Sequence, residues 1–304
     1  MITLTTIADV RAACDAARAA GGRVGFVPTM GFFHEGHRSL MRAARAADDF
    51  VVVSLFVNPT QFGPTEDLSA YPRDPDGDRA VTEAEGVDVL FTPTVDEMYP
   101  AGARTTVHVD GLTERLCGAS RPGHFDGVTT IVAKLFSIVG PSRAYFGRKD
   151  AQQLAVIRRM ATDLDLPVDV VGCPLVREVD GLALSSRNVY LDADARQAAT
   201  ILSGALYMAS EAVVRGQRDA AAIRQLVVDT IGHAPQVRVD YVEVVDAATL
   251  EPIEQITSDT LVALAAFVGK ARLIDNVTIT FAAGDPTPDL GVLTASSGMQ
   301  EADH

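Results

Sequence analysis

The sequence predicts a doubly wound α/β domain, with a mostly parallel sheet covered by helices on both faces, followed by a smaller α+β domain. Three observations carry this expectation. Short apolar, β-branched runs alternate with helical periods as far as residue 171, the pattern of strands joined by crossover helices. The loops after the predicted strands at 23–28, 50–57 and 143–146 are polar or glycine-containing, as in sheets that bind ligands at their carboxyl ends. Beyond about residue 190 the texture changes to two alanine-rich helical stretches and three longer apolar runs.

In chain order, an amphipathic helix over 7–20 stops at Gly21-Gly22, and 23–28 reads as a short buried strand leading into a loop over 29–36. A helix over 36–47 follows. The run Val51-Val52-Val53 inside 50–57 suits a strand buried on both faces, and Asn58-Pro59 ends it. Helix 78–85, strand 87–91, helix 128–139, strand 143–146, helix 152–164 and strand 168–171 continue the alternation. Helices over 193–215 and 220–231 then precede strands over 237–245, 261–268 and 272–280. The expected division is a Rossmann-like domain over 1–187, a smaller α+β domain over 188–283, and a disordered tail over 284–304. In that tail Pro, Gly, Ser and acidic residues dominate and no apolar period survives.

The charge balance narrows the function. With 26 Lys+Arg against 40 Asp+Glu the chain carries a formal net charge of −14. Binding to nucleic acid through backbone phosphates needs a basic face, so no nucleic-acid partner is expected. The longest apolar runs fall well short of the ~20 residues of a membrane-spanning helix, so no membrane partner is expected either. The amino end lacks a basic stretch followed by an apolar block. Cys14, Cys117 and Cys173 are odd in number and widely scattered, which suits reduced thiols, and the expected location is cytoplasmic. Of the 26 basic residues only Lys134, Lys149 and Lys270 are lysines. In so arginine-rich a chain, a lysine points to a place for a compact, flexible ammonium.

Four segments can carry chemistry. His34-Glu35-Gly36-His37 lies between a predicted strand end and a helix start, where free backbone N–H groups and the helix dipole favour phosphate. Two imidazoles there can donate hydrogen bonds to phosphate oxygens as charge builds at phosphorus. The same residues also read as a zinc-binding pair, without the i, i+4 spacing of a helical zinc site and without an obvious third ligand, or as two solvated loop histidines. Gly147-Arg148-Lys149-Asp150 follows a predicted strand, placing an ammonium at the mouth of the sheet. Leu184-Ser185-Ser186-Arg187-Asn188 offers two hydroxyls and a guanidinium suited to a triphosphate, and Asn58-Pro59-Thr60-Gln61 offers uncharged amides. Each string alone equally suits a turn.

Together, Pro28-Thr29-Met30-Gly31 leading into the two histidines, Phe56-Val57-Asn58-Pro59-Thr60-Gln61-Phe62, Gly147-Arg148-Lys149-Asp150 and Leu184-Ser185-Ser186-Arg187-Asn188 closely resemble the pantothenate synthetase (pantoate–β-alanine ligase) family. That family belongs to the nucleotidyltransferases with a His-x-Gly-His fingerprint. The resemblance implies a ligase that uses ATP with Mg2+, the metal held mainly through the phosphates, to convert pantoate to pantoyl adenylate with release of pyrophosphate. The β-alanine amine then displaces AMP to give pantothenate. The alternative is a related nucleotidyltransferase that retains the nucleotidyl product.

By the same resemblance His34, His37, Lys149 and Arg187 are catalytic, with His37 the proton donor. ATP is contacted by Met30, Gly31, His34, His37, Gly147, Lys149, Asp150, Val176, Leu184, Ser185, Ser186 and Arg187. Gln61, Gln153 and Asn58 hold pantoate, and Tyr71, Arg121 and His124 lie around the substrate cavity. The first domain is then nucleotide- and pantoate-binding, the second acts as a lid, and a homodimer is expected. Phe32-Phe33 stands where Ala-Leu is often found, and Arg148 where a Glu commonly precedes the lysine.

Overall fold

A computed structural model describes residues 1–63, 68–282 and 284–294. The elements run β1 (Ile2–Leu4), α1 (Ile7–Ala19), β2 (Val24–Thr29), α2 (Glu35–Ala47), β3 (Phe50–Leu55), a 3-10 turn (Pro59–Gln61), α3 (Pro75–Ala84), β4 (Val89–Phe91) and α4 (Val95–Met98). They continue with α5 (Cys117–Ser120), α6 (His124–Val139), β5 (Ser142–Gly147), a 3-10 turn (Arg148–Asp150), α7 (Ala151–Asp163) and β6 (Val168–Cys173). Last come β7 (Val176–Arg177), a 3-10 turn (Ser186–Tyr190), α8 (Ala193–Val214), α9 (Ala220–Ile231), β8 (Val237–Asp246), β9 (Thr260–Val268), β10 (Ala271–Ala282), β11 (Asp285–Asp289) and β12 (Val292–Leu293).

Two compact units result. The first comprises Met1–Glu114, Arg121–Arg148 and Gln153–Cys173; the second comprises Arg115–Ser120, Lys149–Gln152 and the described residues from Pro174 on. The first holds a six-stranded sheet in the order β1-β4-β3-β2-β5-β6, every pair parallel. Val51, Val52 and Val53 of β3 are fully buried, as a strand covered on both faces requires. Val27, Met41, Ala44, Val51, Val53 and Tyr145 pack together on one side of this sheet. Burying apolar area of this kind is worth about 25 cal/mol per Å2 and is the main drive for closing helices onto the sheet.

The second unit packs α8 and α9 on an antiparallel sheet of order β11-β10-β9-β8, with Leu202, Leu206, Ile223, Val227, Leu264 and Val277 in its core. A register shift in β8 between Val239 and Tyr241 releases Asp240 from the ladder. Asp240 accepts from Arg272 at 2.7 Å and from Ser120 Oγ at 3.0 Å, which ties α5 to β8 and β10.

The structure departs from the sequence reading in two places. The boundary falls between Cys173 and Pro174, ahead of the expected 187, because β7 pairs with β12 and Arg177 forms a buried bidentate ion pair with Asp275 of β10. The expected disordered tail begins too early: Asp285–Asp289 pairs antiparallel with β10, and Val292–Leu293 pairs with β7. Pro286 and Pro288 misled the reading. They occupy alternate positions of an edge strand, where the missing N–H groups fall on the unpaired side. The expected tail over 295–304 lies outside the described residues.

Candidate active site

The sheet of the first unit reverses its direction of growth at β2: the chain moves from β2 to β3 and β4 on one side, and β5 and β6 are added on the other. A crevice at the carboxyl ends of such strands is the standard ligand position. Its opening is local. Pairing of β2 with β3 runs to Thr29, whereas pairing with β5 stops at Phe26 and Ala144. Pro28, without an N–H, cannot extend a ladder there.

Residues 30–34 link β2 to α2 through two left-handed positions, Gly31 at φ 84° and Phe32 at φ 54°. The second costs roughly 1–2 kcal/mol for a residue with a Cβ. Asp78, in the first turn of α3 and 2% exposed, offsets that cost. Its Oδ2 accepts from Phe32 N at 2.8 Å and its Oδ1 from Phe33 N at 2.7 Å. Burial pushes this carboxyl above the usual range, the Phe33 and Phe32 N–H groups pull it back, and Asp74 raises it again.

His34 is the N-cap of α2 and His37 its N3 residue, in a capping box built from imidazoles. His34 Nδ1 accepts from Gly36 N at 3.2 Å, and His37 Nδ1 accepts from His34 N at 3.3 Å. A neutral imidazole that accepts through Nδ1 carries its proton on Nε2. The helix start therefore assigns both rings the same tautomer, with centroids 4.1 Å apart. Two Nε2–H donors beside the amino end of α2 can stabilise charge developing on a phosphate. Met30 is half-buried and Gly31 is buried. At the end of β5, Gly147 has no atom within 4 Å of where a Cβ would stand, leaving its backbone open to approach.

The residues expected around pantoate divide by role. Asn58 is fully buried, and its amide is occupied: Oδ1 accepts from Thr60 Oγ1 at 3.0 Å and Tyr99 OH at 2.8 Å, while Nδ2 donates to Gly127 O at 3.0 Å. It supports the turn that carries Gln61. His124 Nδ1 donates to Gln61 O at 2.8 Å, so its Nε2 accepts from Arg121 Nη1 at 3.1 Å, and Arg121 Nη2 reaches the same Gln61 carbonyl at 3.3 Å. Arg121 and His124 thus hold the backbone of Gln61. Tyr71 is buried edge-on against Phe62, with ring centroids 5.8 Å apart. Among the described residues the side-chain amides of Gln61 and Gln153 have no hydrogen-bond partner. Gln152, by contrast, is spent on Cys117 N and Arg115 O at 2.9 and 2.7 Å.

This packing gives a direct test. A Cβ on Gly127 would stand 2.4 Å from Thr60 O, closer than real Cβ contacts allow. Gly127→Ala must therefore displace the Gln61 turn. We expect kcat/KM for pantoate to fall about tenfold in steady-state assays with little change in KM for ATP, since small displacements of a positioning group carry such penalties.

In the second unit, Lys149 sits in the turn Arg148–Asp150, its side chain 19% exposed and Nζ 4.0 Å from Asp150 Oδ2. Asn276 Nδ2 donates to Lys149 O at 2.8 Å. Asn276 follows Asp275, whose carboxylate receives both Nη groups of Arg177 at 2.7 and 2.9 Å. Arg177 also donates to Gly181 O and Leu290 O. Leu184 N donates to Val176 O at 3.0 Å, with both side chains buried. Ser185 caps the turn Ser186–Tyr190 by accepting from Arg187 N at 3.2 Å, with Ser186 and Arg187 half-buried. Arg148 is exposed, and its Nε lies near Gly172 of β6.

Sequence reasoning missed Asp78. The signal was present in Asp74-Pro75, an N-cap followed by proline at the first helical position, which moves the start of α3 to residue 75 and Asp78 into its first turn.

A family model described as pantoate-beta-alanine ligase matches residues 2–278. A pantothenate synthetase from Moorella thermoacetica is 55% identical over 279 residues, covering 92% of this chain and 99% of the relative. One from Heliobacterium modesticaldum is 59% identical over 259 residues, covering 85% and 92%. The crystal structure of pantothenate synthetase from Thermus thermophilus superposes with a TM-score of 0.86 at 49% identity, covering 91% of this chain and 98% of that one. A pantoate-beta-alanine ligase from Francisella tularensis, solved in complex with beta-gamma ATP and beta-alanine, gives 0.73 at 31% identity over 91% and 97%. A match of this extent, on a chain whose paired histidines cap the helix after the central strand of a parallel sheet, places it among these enzymes: the chain belongs to the pantoate-beta-alanine ligase family.

Proposed function

We propose that this chain condenses pantoate with β-alanine at the expense of ATP, by way of pantoyl adenylate. The observation that carries the reading is the imidazole capping box, which fixes two Nε2–H donors at the amino end of α2 in a chain of this family. A carboxylate is a poor electrophile. In the first step a pantoate carboxylate oxygen attacks the α-phosphorus and the bond to the β-phosphate breaks, releasing pyrophosphate. His34 and His37 donate hydrogen bonds to the α-phosphate oxygens, where negative charge grows. The displacement itself moves no proton, and to act as the proton donor His37 must first be protonated at Nδ1, giving up the bond from His34 N.

Lys149 and Arg187 act on the phosphates of the same ATP, the first as a mobile point charge and the second as a planar fork. Ser185, Ser186, Asp150, Met30, Gly31 and Gly147 contribute further contacts to the nucleotide, and Val176 and Leu184 line it. The amides of Gln61 and Gln153 hold pantoate, with Asn58, Arg121 and His124 acting through the Gln61 turn. In the second step the β-alanine nitrogen attacks the acyl carbon, AMP leaves with the anhydride electrons, and the amine gives up a proton.

We propose that Mg2+ enters on the ATP phosphates. Among the described residues His108, Asp110 and Glu114 are the one group of His, Cys, Asp and Glu side chains close enough to share an ion, and they are exposed. None belongs to the ATP set, which fits a metal carried by the nucleotide. Bound there, the ion would neutralise phosphate charge. A homodimer and a cytoplasmic location complete the proposal. The three cysteines are free and buried, and among the described residues no helix is long and apolar enough to cross a membrane. Sedimentation velocity tests the dimer.

The mechanism is tested by exchange of labelled pyrophosphate into ATP. We expect exchange that requires pantoate and proceeds without β-alanine. Its absence under conditions that support turnover removes the adenylate. Pyrophosphate release that leaves a stable nucleotidyl product, with no response to an amine, would instead identify the nucleotidyltransferase alternative.

A further inference from the structure

We propose that Asp78 is a positioning residue for adenylation, holding the turn at residues 31–33 so that His34 and His37 start α2 in register with the α-phosphate. The inference rests on the ATP-binding reading of that turn and extends it to a carboxylate on a different helix. Three observations meet at this group. Both of its oxygens accept backbone N–H groups of the turn, from Phe32 at 2.8 Å and Phe33 at 2.7 Å. The turn is one the chain resists, with Phe32 at φ 54° directly after Gly31 at φ 84°. And the fit is close: a Cβ on Gly31 would stand 2.8 Å from Asp78 Oδ2 and 3.2 Å from Leu55 Cγ.

A buried carboxylate with a raised pKa works against folding when ionised. Its stabilising contribution is complete below the unfolded pKa and is lost as the pH rises through the folded one. Burying a carboxyl here carries a desolvation cost, as expected where geometry at a functional turn matters more than fold strength. The carboxylate is the group suited to the task. Two convergent N–H donors need two acceptor oxygens, and an amide has one.

The test compares Asp78→Asn with wild type and with Asp76→Asn, an exposed residue of the same helix turn. Full-length protein is assayed for pantoate-dependent pyrophosphate exchange and for thermal unfolding. For Asp78→Asn we expect kcat to fall about tenfold to a hundredfold and KM for ATP to rise, with KM for pantoate little changed and Tm within a few degrees of wild type. Asp76→Asn should match wild type throughout. A folded Asp78→Asn with wild-type kcat and KM for ATP overturns the proposal, as does an equal rise in both KM values with unchanged kcat. Should that variant not fold, hydrogen exchange in the wild-type chain decides: protected Phe32 and Phe33 amides support the assignment, and unprotected ones overturn it. Failure of wild type to exchange pyrophosphate refutes the ligase reading itself, a result separate from either outcome for Asp78.

Discussion

We expect Lys149→Ala to lower kcat/KM for adenylation by about a thousandfold, at the upper end of what one removed charge-stabilising donor costs in a preorganised site. Lys134→Ala should lower it by no more than about threefold, as befits a half-buried cation whose ring contact is worth about 0.5–1 kcal/mol. Both are lysines in an arginine-rich chain, and the sequence alone does not rank them. Structure does. Lys134 Nζ lies 5.9 Å from the centre of the Tyr99 ring, a contact that needs only a diffuse positive charge. Lys149 sits in the turn after β5, its carbonyl held by Asn276, which adjoins the Arg177–Asp275 ion pair. That backbone is fixed by buried groups, so the ammonium is delivered to one place while its four-carbon stem keeps local freedom. Lys149→Arg should not restore activity, because a planar fork demands a different approach to oxygen than a point charge does. Pyrophosphate exchange on the three variants, with unfolding transitions as a check on fold, measures this. Equal losses at 134 and 149 would detach Lys149 from the phosphates.

Much of this architecture was legible because its elements are long. The helices near 193–215 and 220–231 and the strands near 261–268 carry several turns or repeats of apolar period, and Ala193–Val214, Ala220–Ile231 and Thr260–Val268 follow them within a residue or two. Elements of two to five residues carry no period, and of the short strands only β4 was read, from the apolar run at 87–91. β1, β7, β11 and β12 therefore went unseen, although they close one edge of the parallel sheet and pull the segment from Pro174 into the second unit. In the candidate site, residue types were legible and their division of labour was not. Asn58 and Gln61 are both amides in one loop, yet one is spent on Thr60, Tyr99 and Gly127 while the other has no partner among the described residues. Gln152 and Gln153 divide in the same way. Such differences depend on which face of a turn meets the core, and that is set by contacts far along the chain. Asp78 is the clearest case: its partners lie more than forty residues earlier, at Phe32 and Phe33.

His34→Ser separates what the two histidines do for the fold from what they do for ATP. Position 34 is the N-cap of α2, where serine, threonine, aspartate and asparagine are the residues that local stability selects. Histidine is an unusual choice. Its Nδ1 makes the capping contact to Gly36 N at 3.2 Å, a bond a serine hydroxyl makes as well with fewer atoms to order. A position where the local rule is broken without a local gain is where function is expected to set the residue. Serine at 34 should therefore leave Tm unchanged or raise it slightly, because the cap is kept and the backbone N–H of residue 34 can still donate to His37 Nδ1. Activity should not follow stability. The variant loses one Nε2–H aimed at developing phosphate charge, and pantoate-dependent exchange should fall about 10^2–10^3-fold, the usual cost of one such donor. His34→Ala should lose about the same activity and, in addition, about 1 kcal/mol of stability for the missing cap. The contrast lies between the two substitutions. If serine restored exchange along with stability, His34 would be a cap and nothing more, and phosphate recognition would rest on His37 alone.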